Sequence, residues 1–175
     1  MLASWQMAVR RKVASPPRDA LKPLRYSTQK KHEVICTMCS INNLLQRVIF
    51  DSWVDFKEQV QTVWVDAQIR AGRSQKSIDG LKPHMIGAAG VSPTLSVMYL
   101  REIEGLKVTS VPHTNAASIT TGLLSVKCDN SFGHSICVLN GWVIDSIVNP
   151  GIYRWTGVIK GYKSIEMLAA WEVEL

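Results

Sequence analysis

The sequence predicts an α+β fold in which N-terminal helices pack on a C-terminal antiparallel sheet. Three observations carry this. Apolar residues recur at helical spacing through the first half of the chain. The second half breaks into short runs rich in β-branched residues. Two of those runs are joined by Asn140-Gly141, a dipeptide that suits the two central residues of a type I′ hairpin turn. Helices first and strands later is the order of an α+β domain.

The elements follow from local pattern. Ile41, Leu44, Leu45, Val48 and Ile49 predict a first helix over Cys36 to Arg47. Ser52, with Asp55 three residues on, reads as a variant capping box. It opens a second helix from Trp53 to Ala71, with Trp53, Phe56, Val60, Val63 and Ala67 as its stripe and Gly72 as its stop. Arg73 to Gly80 is polar and reads as a loop. Pro93 to Ile103 is a third helix, closed by Gly105. Strands are expected at Lys107–Val111, Leu123–Cys128, Ser135–Leu139 and Trp142–Ile147, with a further one within Tyr153–Ile159. Ser164–Trp171 reads as a last short helix. Trp64, Trp142 and Trp155 are expected in the core. Asn149-Pro150-Gly151 reads as a turn.

At 175 residues the chain fits one domain. Its charge is unevenly placed. Residues 1–31 carry eight basic residues and one acid, net +7, whereas residues 32–175 carry 12 basic and 13 acidic residues, net −1. The division is therefore a basic flexible leader over residues 1–25 and one domain over 26–175, starting near Tyr26. A near-neutral body without an aromatic-basic platform gives no reason to expect nucleic acid as a partner. The longest apolar runs are far short of the roughly 20 residues that span a membrane, so no membrane partner is expected and the body reads as cytoplasmic. Met1–Ser15 has the acid-free, Arg-rich composition of a mitochondrial transit peptide, the alternative being a plain basic leader.

The hairpin places two polar residues together. With Asn140-Gly141 central, Leu139 faces Trp142, Val138 faces Val143 and Cys137 faces Ile144; continued, Ile136 faces Asp145 and His134 faces Ile147. His134 and Asp145 become diagonal neighbours on one face. An Asp inside the apolar run Trp142–Ile147 needs a partner, because an unpaired buried carboxylate is costly. A carboxylate that accepts from one ring nitrogen fixes the tautomer and leaves the other nitrogen to act as a base.

The four cysteines are Cys36, Cys39, Cys128 and Cys137. Cys36 lies where the first helix begins, and the N–H groups and positive end of a helix favour a thiolate there. Its own N–H is placed to help form an oxyanion hole. A Cys at a helix start with a distant His and Asp is the pattern of a thiol protease, with Cys36 as nucleophile, His134 as general base and Asp145 as orienter. Three other readings stay open. Cys36-x-x-Cys39 suits a redox dithiol. The four cysteines together suggest a zinc module, although eight residues separate Cys128 from Cys137, where structural zinc sites use short spacings. All four could also be plain core cysteines. His84 and His113 each follow a proline and read as loop residues; His32 and Glu33 are near enough to Cys36 in sequence to line a cleft.

The segment Cys36-Thr-Met-Cys-Ser-Ile-Asn-Asn-Leu-Leu-Gln46 resembles the nucleophile helix of the Josephin deubiquitinases, in which Asn-Asn-Leu-Leu-Gln follows the catalytic Cys at matching spacing. The hairpin is similar too: His134 near a strand start, a tight turn, then Trp142 and Asp145-Ser146. The order Cys, His, acid matches the papain-like group at large. The resemblance covers about 11 residues at Cys36 and 14 at His134. It implies a papain-like cysteine protease fold, cleavage of peptide or isopeptide bonds without cofactor or metal, and ubiquitin or a ubiquitin-like protein as partner. The family carries an oxyanion Gln five residues before the nucleophile, where this chain has Lys31; Gln29, two residues further back, is the candidate for that role. The return strand is also shorter than in the family. A processing protease that cuts a polyprotein, viral or from a mobile element, is the alternative, and a non-hydrolytic zinc or dithiol module is the third reading.

Overall fold

Helices come first and an antiparallel sheet last. The structure is a computed structural model that describes residues 22–25, 27–29, 35–87, 90–129, 132–148 and 151–175, without the side chains of Pro83 and His84. The leader through residue 21, the domain start at Tyr26, His32 and Glu33, and Asn149-Pro150 of the expected turn lie outside the described residues.

Helix α1 runs Cys36–Leu44, and all of it after Cys36 is buried. It stops three residues before the expected Arg47. Gln46 takes a positive φ of 51°, Gln46 N–H donates to Asn43 O and Arg47 N–H to Asn42 O. That is a Schellman-type close with glutamine where glycine is usual. Helix α2, Trp53–Arg70, starts as its sequence predicts: the Ser52 hydroxyl accepts from the N–H groups of Val54 and Asp55. Phe56, Val60, Val63 and Trp64 form its buried stripe.

Residues 73–80, expected as loop, instead open helix α3, Gln75–Met85. Ser74 caps it by accepting from Ser77 N–H at 3.4 Å, and Ile78 is driven into the core. One apolar anchor on a polar segment leaves too little periodicity to read. A two-stranded ribbon follows, β1 (Ile86–Gly87) with β2 (Gly90–Val91). Helix α4, Pro93–Glu102, carries its proline in the first turn, where no N–H is needed.

The main sheet has six antiparallel strands in the order β3-β8-β4-β5-β6-β7: β3 Lys107–Ser110, β4 Gly122–Cys128, β5 Phe132–Leu139, β6 Trp142–Ile144, β7 Ile152–Arg154 and β8 Ile165–Glu174. The helix expected over Ser164–Trp171 is therefore wrong: that segment is β8, paired on both sides, with β3 and β4. Met, Leu and Ala favour a helix locally, but an inner strand is decided by its neighbours. Strand β7 is shorter than the expected Tyr153–Ile159, and β6 ends at Ile144 rather than Ile147.

Both faces of the sheet are covered. On one, Leu123, Cys137, Leu139, Ile144 and Val173 pack with α1, α2, α3 and α4 through Ile41, Leu44, Phe56, Trp64, Ile78 and Leu100. On the other, Leu124, Val126, Cys128, Ile136, Val138 and Val143 pack with Ala116, Ile119, Tyr153 and Trp155. Trp64 and Trp155 are buried as expected, and Trp142 is partly so. Among the described residues no helix is long and apolar enough to cross a membrane.

Candidate active site

The site begins with the Asn140-Gly141 turn. Both residues have positive φ, 50° and 74°, the pair that a type I′ turn demands. The register is the expected one, Leu139 with Trp142, Val138 with Val143 and Cys137 with Ile144. There the ladder stops. Asp145 turns away, and its N–H donates to Gly151 O at 2.7 Å. The expected pairings of Ile136 with Asp145 and of His134 with Ile147 therefore do not form as strand pairs. Their consequence still holds, because His134 Nε2 and Asp145 Oδ1 are 3.0 Å apart with both side chains fully buried.

Early departure of β6 opens one edge of β5. A two-residue turn makes Leu139 and Trp142 a hydrogen-bonded pair, so the N–H groups of Leu139, Cys137 and Ser135 all aim toward the β6 side. At Ser135 no β6 residue faces it. Cys36, the first residue of α1, lies on that side, where the Ser135 N–H is one of the groups that lower its thiol. Helix α1 is not capped by a side chain and has no acid in its first turn. Its second residue, Thr37, donates to Val91 O at 3.0 Å, which ties the helix start to the β1–β2 ribbon.

The three candidates titrate as a unit. Burial pushes the Cys36 thiol up, but the hydrogen bonding and charge of His134, then the Ser135 N–H and the Thr37 hydroxyl, outweigh it and leave the thiol below its ordinary value. Burial works against the His134 imidazolium; Asp145 and Cys36 outweigh it and lift the ring to about 9. Burial also pushes Asp145 up, and His134, the Ile147 N–H and the Tyr162 hydroxyl bring it below its ordinary value. At neutral pH these directions favour thiolate and imidazolium. His134 Nδ1 is buried and makes no hydrogen bond of standard geometry. Its contact with the sulfur is thus close enough to couple their charges but loose, as resting sites often are.

Asp145 is fully satisfied. Oδ1 also accepts from Ile147 N–H at 2.8 Å, and Oδ2 accepts from the Tyr162 hydroxyl at 3.0 Å. The Tyr162 ring lies 6.0 Å from that of His134 and 6.3 Å from that of Phe132. Burial and then the Asp145 charge push the tyrosine up, so it stays a donor. Sequence reasoning missed Tyr162. It comes from the irregular segment before β8, where no periodicity marks it.

The remaining cysteines differ in kind. Burial first, then the charges of Asp145, Asp129 and Cys36, push Cys128 up to about 12. Burial and Asp145 push Cys137 up as well, and its side chain belongs to the core on the helix side of the sheet. Cys39 is buried in that same core. No group of three or more His, Cys, Asp or Glu placed to hold a metal occurs among the described residues.

Gln29 is docked beside the acid. Its N–H donates to Ser146 O at 3.0 Å, and the Ser146 hydroxyl donates to its Oε1 at 3.1 Å. The structure thus brings Cys36, His134 and Asp145 together, with Gln29 on the residue next to Asp145. His113 starts a short 3₁₀ turn, His113–Ser118, on the sheet face opposite the helices. No model of a known protein family matches the chain, and no curated protein matches it either.

Proposed function

We propose that the protein is a cysteine peptidase of papain-like arrangement. One observation carries this reading: a buried imidazole with one nitrogen on a fully satisfied carboxylate and the other unpartnered beside a depressed thiol at a helix start. The Cys36 thiolate attacks a carbonyl carbon, and a C–S bond forms as the carbonyl electron pair moves to oxygen. His134 gives its proton to the leaving amine as the C–N bond breaks. Water, activated by His134, then releases the acyl group. Asp145 holds the ring's orientation through both steps. The Cys36 N–H and Gln29 are the proposed oxyanion donors. No cofactor or metal enters.

The finer reading is a Josephin-like deubiquitinase, supported by the Asn42-Asn43-Leu44-Leu45-Gln46 run after Cys36 and by the Trp142…Asp145-Ser146 return. The test is labelling by ubiquitin bearing a C-terminal thiol-reactive group, with Cys36→Ala beside it. An adduct in the wild type alone supports both readings. Without an adduct, Cys36-selective alkylation by iodoacetamide at neutral pH keeps the peptidase and moves the substrate to another protein, such as a polyprotein. Absence of selective alkylation sinks the peptidase.

A further inference from the structure

The Asn-Asn-Leu-Leu-Gln run has polar side chains that the chemistry above does not use. Asn42 and Asn43 are fully buried, and both reach back to the segment before α1. Asn43 Oδ1 accepts from Ser27 N–H at 2.9 Å and its Nδ2 donates to Ser27 O at 3.0 Å. Asn42 Nδ2 donates to the Ser27 hydroxyl at 2.8 Å. Gln46 repeats the pattern one turn on: Leu24 N–H donates to its Oε1 and its Nε2 donates to Leu24 O, both at 3.0 Å. Two side-chain amides thus read the backbone of residues 24 and 27 as a neighbouring strand would. Gln46 does so from φ 51°, a conformation that glycine adopts freely and other residues at a cost. A side chain kept at a strained helix end is kept for its contact.

The same segment is pinned at its far side. Arg25 Nη1 donates to Asp145 O at 3.3 Å and to Val148 O at 3.1 Å. Room for that guanidinium exists because residue 151 is glycine: a Cβ there would collide with Arg25 Nη1 and Asp145 O. Gln29 then meets Ser146 through backbone and side chain. The Ser146 hydroxyl thus holds the oxygen end of the amide. Leu24, Arg25, Ser27 and Gln29 therefore tie α1, which carries Cys36, to the loop that carries Asp145.

We propose that residues 24, 25 and 27–29 are a positioning strap, clamped by Asn43 and Gln46 on α1 and by Arg25 across the Asp145 loop, that presents the Gln29 amide to the oxyanion formed when Cys36 attacks a carbonyl. This rests on the peptidase reading of Cys36 and His134, with Gln29 as the oxyanion donor proposed above. Asn43, Gln46 and Arg25 are positioning residues and touch no substrate. The strap separates two reactions of the same thiolate. Alkylation by iodoacetamide passes through no oxyanion and ignores the strap. Acylation by p-nitrophenyl acetate forms a tetrahedral oxyanion, expels p-nitrophenolate and leaves a thioester, so it feels the loss of a donor.

The test uses Gln46→Gly and Arg25→Ala in the full chain. Gln46→Gly relieves the backbone at that position, so its melting temperature should equal or exceed the wild type's while the clamp is lost. Amide exchange at Gln29, whose N–H is held by Ser146 O, should quicken at least about tenfold in both variants, as expected when a protected amide opens locally. Ester acylation should slow by roughly tenfold to a hundredfold, up to the loss of one oxyanion donor, with iodoacetamide alkylation and its pH dependence unchanged. Unchanged Gln29 exchange in both variants overturns the strap whatever the activity. So does a parallel fall of acylation and alkylation, which would mean that the clamp merely supports α1. A wild type that shows protected Gln29 but neither reaction at Cys36 overturns the peptidase reading, and the catalytic role of the strap falls with it.

Discussion

The two ends of β5 share one backbone and do opposite things. At the turn end, Cys137, Val138 and Leu139 are paired with β6 on one side and, through Cys137 and Val138, with β4 on the other. Every N–H there has a strand to meet, and the one thiol is pushed up by burial. At the other end β4 remains but β6 is gone. There Ser135 N–H and His134 both lower the Cys36 thiol, and His134 also meets Asp145. Cys137 and Cys36 thus shift in opposite directions, and the difference lies in what fills the edge of the strand. A second strand makes structure, whereas an imidazole at that edge lowers a thiol.

The sharpest way to break this comparison is to remove the imidazole. His134→Ala should lower ester turnover about 10²–10⁴-fold, the usual worth of a general acid–base. The Cys36 thiol should return toward its ordinary value, measured by the pH dependence of alkylation, because its main lowering influence is gone. Retention of a depressed thiol in that variant would assign the effect to Ser135 and the helix start instead.

Asp145→Ala should cost stability as well as rate. It leaves the donors of His134, Tyr162 and Ile147 without their acceptor in a fully buried place, a loss on the order of 3–5 kcal/mol by denaturant unfolding. Asp145→Asn keeps an acceptor and should be milder; full turnover in that variant would remove Asp145 from the proposed triad. Tyr162→Phe comes next. Loss of one hydrogen bond to a charged group is worth about 1.5–3 kcal/mol. Because the Asp145 pKa is depressed in the fold, its contribution to stability is present above the unfolded value of about 3.9 and is lost as pH falls through the folded one. Tyr162→Phe removes one cause of that depression, so its acid-unfolding midpoint should move to higher pH.

His134 sets the alkaline limit. Its folded pKa of about 9 lies above the ordinary value of 6.5. Its stabilising contribution is therefore full below about 6.5 and fades as pH rises through about 9. Activity that needs the imidazolium should fall over the same range, with the limits belonging to the coupled Cys36–His134 pair rather than to either residue. The smallest effect is expected at Cys39. Cys39→Ala trims a side chain buried in the core and should cost about 1 kcal/mol, with Cys36 alkylation unchanged. A loss of reactivity in a folded Cys39→Ala protein would favour the dithiol reading.

Residues alone reveal whatever local chemistry decides. Asn140-Gly141 suits one turn, and the register that it sets as far as Ile144 brings Asp145 near His134 even though Asp145 itself leaves the ladder. Ser52 marks a helix start through its own hydroxyl. Elements decided by distant partners are not legible in this way. The Met167-Leu168-Ala169-Ala170 stretch looks helical in isolation, and is a strand because β3 and β4 lie on either side of it. Tyr162 and Arg25 belong to the site through a few contacts from irregular segments, and no spacing announces such contacts. Asn42, Asn43 and Gln46 are visible as a motif, yet their purpose emerges only with the backbone of residues 24 and 27 beside them.

The early end of β6 has a consequence in time as well as in space. The edge that it leaves on β5 is filled by a residue about a hundred positions earlier in the chain, and contacts across such separations are won late, after a long loop has closed. Until α1 docks there, Cys36 has neither Ser135 nor His134 beside it and titrates as an ordinary thiol. The depressed thiol cannot exist in a nascent or partly folded chain. A lowered titration of Cys36 therefore marks native molecules, and a chain still being made carries its sulfur as an ordinary thiol.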